Sequence, residues 1–133
     1  MKIITEYEDI MARLQGEGKP YWAVKDDEAN YTMLKAYFTS KQGGKELLDF
    51  NDIIWDKDIK AIADAVRRFG IREFTISVQA SAIIDILTAF QDLGIRLEGM
   101  TKVQTNQRDT QMNEAGDWVE GYKVINAFLM KVE

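Results

Sequence analysis

DFNDIIWDKDIKAIADAVRRFGIREFTISVQASAIIDILTAFQDLGIRLEGM, residues 49–100, decides the fold. Ile59, Ile62, Ala63, Val66 and Phe69 recur at helical spacing, while Lys60, Asp64, Arg67 and Arg68 fall on the opposite side. Ile83, Ile84, Leu87, Phe90 and Leu93 repeat that stripe. Each stripe stops at a glycine, Gly70 or Gly94, followed by Ile-Arg, and glycine is the residue that tolerates a left-handed helix end. Between the stripes, Phe74, Ile76 and Val78 alternate with Glu73, Thr75 and Ser77, the period of a strand with one core face. The pattern predicts strands at Glu46–Phe50, Arg72–Val78 and Ile95–Val103, with Asp56 and Ser81 capping the two intervening helices. Strands joined by helical crossovers run parallel with right-handed connections, which makes these three parallel neighbours with both helices on one face.

Outward from this unit, Ile4, Tyr7, Ile10, Met11 and Leu14 mark an N-terminal helix over Thr5–Gln15. Thr5-Glu6-Tyr7-Glu8 has the spacing of a capping box, and Gly16, Gly18 and Pro20 close the helix. Tyr21 and Trp22 beside Pro20 suit an aromatic plug at the edge of the core. Asp26–Gln42 fits either a buried strand or a helix. Acidic residues at its start and Lys35 and Lys41 towards its end suit the helix dipole, so a helix over Asp27–Gln42 is expected. Gln104–Asp117 is polar and turn-rich, the composition of an exposed loop. Trp118–Val132 holds the last strand, expected to return antiparallel beside the third. The expected fold is therefore α/β (mixed α+β). It has a four-stranded mixed sheet of three parallel strands joined by two helices, an antiparallel C-terminal strand and two N-terminal helices. All of it is expected to form one domain over residues 1–133.

Composition excludes more than it selects. With no histidine and no cysteine, Ser-His-Asp and Cys-His catalysis, histidine bases and Cys/His zinc sites are all ruled out within the chain. A net charge of −5 without a Lys/Arg cluster argues against sequence-independent nucleic-acid binding, which needs a cationic face. No apolar stretch reaches the roughly 20 residues that cross a bilayer, and the acidic start MKIITEYEDIM does not resemble an export signal, so a cytoplasmic location is expected.

Phosphate motifs fail on inspection. SKQGGKE has Gly44-Lys45, but Thr39 stands where the first glycine of a P-loop belongs, and Glu46 replaces the magnesium-binding hydroxyl. The acidic run Asp49, Asp52, Asp56 and Asp58 offers oxygen ligands, yet Ile54 and Lys60 occupy the sixth and twelfth places of a calcium loop counted from Asp49. Capping and turn formation account for the run, and no metal or cofactor is implied. Because ligands of open parallel sheets bind beyond the carboxyl ends of the strands, the expected ligand-facing residues are Asn51, Asp52, Gln79, Ser81, Thr105 and Asn106. No catalytic residue is assigned.

LLDFNDIIWDKDI, FGIREFTISVQASAIIDILTAFQDLGIRLEGMTKV and the closing AFLMKV resemble a family of small uncharacterised bacterial proteins. Its pattern reads D-F-x-x-x-I-W-D, then G-I-x-x-F-T-x-S, then a closing A-x-x-M. The resemblance implies Gram-positive genomes and integrated mobile elements, and it transfers no activity and no catalytic residues. Two functions are expected to compete: macromolecular binding by a non-enzymatic domain with a protein partner, and binding of a small molecule or anion at the carboxyl edge, extending to weak carboxylate catalysis by Asp52. The sequence points to no membrane and away from nucleic acid, and leaves oligomeric state open.

Overall fold

A computed structural model describes residues 1–133. The elements are α1 (Thr5–Gly16), a 3₁₀ turn (Tyr21–Ala23), α2 (Tyr31–Gln42), β1 (Asp49–Phe50), α3 (Asp56–Arg68), β2 (Glu73–Ile76), α4 (Ile83–Asp92), β3 (Ile95–Met112) and β4 (Trp118–Val132). The fold is mixed α+β, and one core of 23 buried side chains runs from Ile4 to Val132, so the N-terminal helices and the last strand share it.

Sheet order is β1-β2-β4-β3. Only β1 and β2 are parallel neighbours; β4 pairs antiparallel with both β2 and β3. The expected run of three adjacent parallel strands is thus corrected. β3 keeps the direction of β2, but β4 has taken the place between them. Burial explains the exchange. Ala127–Val132 is apolar on both faces, and Ala127, Met130 and Val132 are buried, which suits a central strand. Arg96, Leu97, Glu98 and Met100 of β3 are exposed, which suits an edge.

Phe74 and Ile76 are fully buried on the core face of β2. Phe74 meets Phe50 and Phe90 edge-on at centroid distances of 5.3 and 5.7 Å. Tyr7 joins α1 to the rest, edge-on to Tyr37 at 5.7 Å and to Phe69 at 5.1 Å. Tyr21 packs between Tyr31 and Phe38, while Trp22 lies exposed beside it, so only half of the aromatic pair plugs the core.

Several local expectations shift. α2 starts at Tyr31 and is capped by Asn30, whose side chain accepts from the Met33 amide. Asp26 and Asp27 stay outside it, and Glu28 pairs with Arg13 instead. The Thr5–Glu8 capping box does not form: α1 begins at Thr5 with Ile4 in the cap position, and Glu8 turns to Tyr37 and Lys41. Neither Asp56 nor Ser81 caps its helix; Trp55 and Ala82 hold those positions without a side-chain bond. The glycine stops are as read. Gly70 has φ +68°, and behind it the Ile71 amide donates to Val66 O at 2.8 Å, closing α3.

The largest departure is Gln104–Asp117. It is strand as far as Met112, with a turn only at residues 113–117. There Asn113 Oδ1 accepts from the Asp117 amide at 2.9 Å, and Gly116 adopts φ +85°. From Lys102 and Asn126 outward the two strands pair only with each other, forming a two-stranded arm. Its polar residues carry no alternating apolar signal, because the ladder with β4, not a core, keeps them extended.

Candidate functional site

α2 ends in a turn that carries Gly44 at φ +64°, and the Lys45 amide closes it by donating to Ser40 O at 3.0 Å. That turn aims Lys45 back beneath the sheet. Its Nζ donates to Asp49 Oδ2 at 2.7 Å, with the Lys45 side chain 6% and the Asp49 side chain 0% exposed. Asp49 points to the sheet face opposite Phe50. There Thr75 Oγ1 donates to Asp49 Oδ1 at 2.7 Å, and Ser77 Oγ donates to Oδ2 at 2.7 Å. The polar side of the Glu73–Ser77 alternation is therefore the wall of a buried polar cluster. Ser40 completes it from α2: its hydroxyl accepts from the Asp49 amide at 2.8 Å and lies 3.2 Å from Asp49 O. Since β2 occupies the other side of β1, Ser40 satisfies groups that an edge strand would leave open.

Beside this cluster a cavity of about 370 Å³ separates the body from the base of the arm. Gly44, Lys45, Glu46, Leu47 and Thr75 form the body wall; Thr101, Lys102, Val103 and Gln104 form the arm wall. Asn106, one turn of the ladder further out, sits against the end of α2. A β-carbon on Gly43 would lie 2.7 Å from its Oδ1, so glycine there leaves room for the arm to lean on the body.

The residues expected at the carboxyl edge do not converge. Asn51 and Asp52 line a smaller cavity of about 150 Å³ with Tyr31, Lys35 and Trp55. Asp52 is ion-paired with Lys35 and accepts from the Ile53 amide at 2.7 Å. The hydrogen bond from Lys35, aided by that amide, holds the Asp52 carboxyl below its usual range, and the same contact raises Lys35. Gln79 and Ser81 are exposed in the β2–α4 connection and line neither cavity. Thr105 donates to Lys123 O at 2.8 Å across the arm, and Asn106 serves the α2 contact.

The acidic run disperses. Asp49 goes to Lys45, Asp52 to Lys35, and Asp58 to Asn30 and Thr32, while Asp56 stands in the first turn of α3. No three carboxylates meet in a way that could hold a metal ion. Lys45, Thr75, Lys102 and Gln104 were not singled out as site residues from the sequence; the one available signal was the four-residue spacing from Lys45 to Asp49.

These features define a small mixed α+β domain with a buried Asp-Lys-hydroxyl cluster and a projecting β-ribbon. The chain belongs to the family described as a domain of unknown function (DUF7698), which matches residues 32–132. No curated protein and no solved structure matches it. No helix is long and apolar enough to cross a membrane.

Proposed function

We propose that the protein acts by binding another protein through its β-ribbon arm. The observation that carries this is the arm's uncovered apolar row. Met112, Trp118, Tyr122 and Val124 are 57, 68, 42 and 48% exposed. Register puts Met112 opposite Trp118, and alternation puts Trp118, Tyr122 and Val124 on one face. A two-stranded ribbon without a third strand or a helix against it is marginal in water, and Trp and Tyr are the residues that protein interfaces favour. Residues 101–124 carry three basic and four acidic side chains, a balance that suits a protein surface and not a phosphate backbone. No cofactor is invoked. The resemblance to proteins of bacterial mobile elements would place such a partner in a bacterial cytoplasm.

Small-molecule binding at Asn51 and Asp52 is the weaker reading. A carboxylate already engaged by an ammonium and an amide is a poor proton acceptor, and its cavity is small.

The test places a photo-crosslinking residue at Trp118 or Tyr122, with Lys60 on the exposed side of α3 as control, in extract of the source cells. Discrete adducts at the arm positions and none at Lys60 are expected. Equal labelling at all three would overturn the proposal. Light scattering on the purified protein identifies the case in which the partner is a second copy.

A further inference from the structure

We propose that the outer edge of β3 takes up an extended segment of a partner protein as an added strand, with an acidic side chain opposite Lys102. The inference rests on the reading that the arm binds a protein, and names the segment it takes. β1 and β3 are the two edges of the sheet. At β1 the Ser40 hydroxyl covers the backbone of Asp49. β3 has no such cover: no strand lies beyond it, and no loop or helix backbone bonds to residues 99–104. The direction of the ladder bonds identifies the open groups. The Val132 amide donates to Arg72 O at 2.8 Å, towards β2, and the Glu133 amide donates to Gly94 O at 3.2 Å, towards β3. In an antiparallel ladder a residue turns both backbone groups to one side and its neighbours turn theirs to the other. Leu129, Ala127 and Ile125 therefore bond to β3, where register sets them opposite Gly99, Thr101 and Val103. Met100, Lys102 and Gln104 are left with N–H and C=O pointing outwards. Register shifts fall before Gly99 and after Gln104, so the stretch between them is regular strand, and a regular open edge is a template for another strand.

Side chains select which strand. Met100 and Lys102 stand opposite Phe128 and Asn126, on the face that continues outward through Val124, Tyr122 and Trp118. An added strand would widen this apolar row to three strands, the number at which such a face becomes stable. Met100, 61% exposed, calls for an apolar neighbour. Along the same edge Arg96 pairs with Glu133, Glu98 with Lys131 and Arg108 with Glu120. Lys102, the other charged residue between 96 and 108, has no carboxylate within 4.0 Å. A lysine on an edge opposes indiscriminate pairing and favours a strand that brings a carboxylate opposite it. The fitting segment alternates, with Asp or Glu opposite Lys102 and an apolar residue two positions away, opposite Met100.

The experiment selects a random peptide library, displayed on phage, against the immobilised full chain. Enriched peptides should carry an acidic residue two positions from an apolar one. In synthetic copies followed by fluorescence anisotropy, N-methylation of alternate amides should weaken binding about tenfold or more, and methylation of the intervening amides little, because main-chain bonds carry strand addition. Lys102→Glu changes an exposed side chain and sets like charges opposite each other, so binding should fall about tenfold or more. Met100→Pro removes an N–H that β4 does not use, at an edge where proline is tolerated, and should weaken binding to a similar extent. Placed in the chain that carries the crosslinker at Trp118, both substitutions should also abolish the arm adducts. Adducts that persist there leave the arm reading standing and overturn this one. The inference is overturned as well if no peptide is enriched, if the two methylation patterns act equally, or if both variants bind like the parent. A dimer of the purified chain that Met100→Pro dissolves assigns the edge to a second copy and overturns the acidic segment.

Discussion

Lys45→Met removes the ammonium from the buried pair while keeping an unbranched side chain of similar reach. Little packing is lost, and the measured cost reports the polar cluster. Asp49 has no exposed side-chain surface and accepts from Lys45, Thr75 and Ser77, each at 2.7 Å. Taking away one partner of a buried ion pair costs about 3–5 kcal/mol, because the remaining charge is left buried and unpaired. Against a total stability of about 5–15 kcal/mol for a domain, that is a large fraction. Asp49→Asn should cost less, about 1–3 kcal/mol, because its amide oxygen still accepts from Lys45, whose side chain keeps a 6% opening to water, and its amide still pairs with hydroxyls that can donate or accept. The double variant restores a neutral cluster, so it should be more stable than the two separate costs predict, with a coupling of about 1–3 kcal/mol. Urea titrations followed by far-UV circular dichroism measure this. Trp22, Trp55 and Trp118 are all exposed, which makes tryptophan fluorescence a poor probe of core opening. A cost for Lys45→Met below about 1 kcal/mol with unchanged m, or strict additivity in the double variant, would refute the buried-pair reasoning.

Ser40→Ala strips the cover from the Asp49 amide and carbonyl at the free side of β1, and should cost about 1–3 kcal/mol in the same titration. Glu8 is held below the ordinary 4.5 by hydrogen bonds from Lys41 and then Tyr37, so its contribution is present above that value and lost as pH falls through its lowered pKa. The Tm gap between parent and Glu8→Gln should therefore shrink between about pH 6 and about pH 3, and a constant gap would count against the triad. At the alkaline end, burial pushes Tyr7 and Tyr37 from 10.0 up to about 12. Both favour the folded state fully below pH 10 and lose that contribution as pH rises towards 12, so Tm should fall across that window, and less steeply in Tyr37→Phe.

Helix positions were legible because periodicity and stops are local. The stripes on α3 and α4, and the glycines that end them, depend on neighbours three or four residues apart. Capping was not legible at the same level. Thr5, Asp56 and Ser81 carry the right chemistry, but where a helix begins also depends on what else its side chains reach. Glu8 is drawn to Tyr37 and Lys41, 29 and 33 residues away. The β3 half of the arm, Gln104–Met112, was missed because its polar residues are held extended by the ladder with β4 and bury almost nothing, so no alternation marks them, whereas Trp118–Val132 was legible as a strand.

By itself the sequence determined helices α1, α3 and α4, the β1–α3–β2 parallel unit and the exclusion of histidine and cysteine chemistry, since these follow from composition and short-range pattern. Only the tertiary structure decided that β4 lies between β2 and β3, because the central place goes to the strand that can be buried on both faces, and that is a comparison between distant segments. It also decided where the polar residues meet. Lys45 and Asp49 read as parts of a failed phosphate loop and an acidic turn until folding removes both from water, where each becomes the partner the other requires.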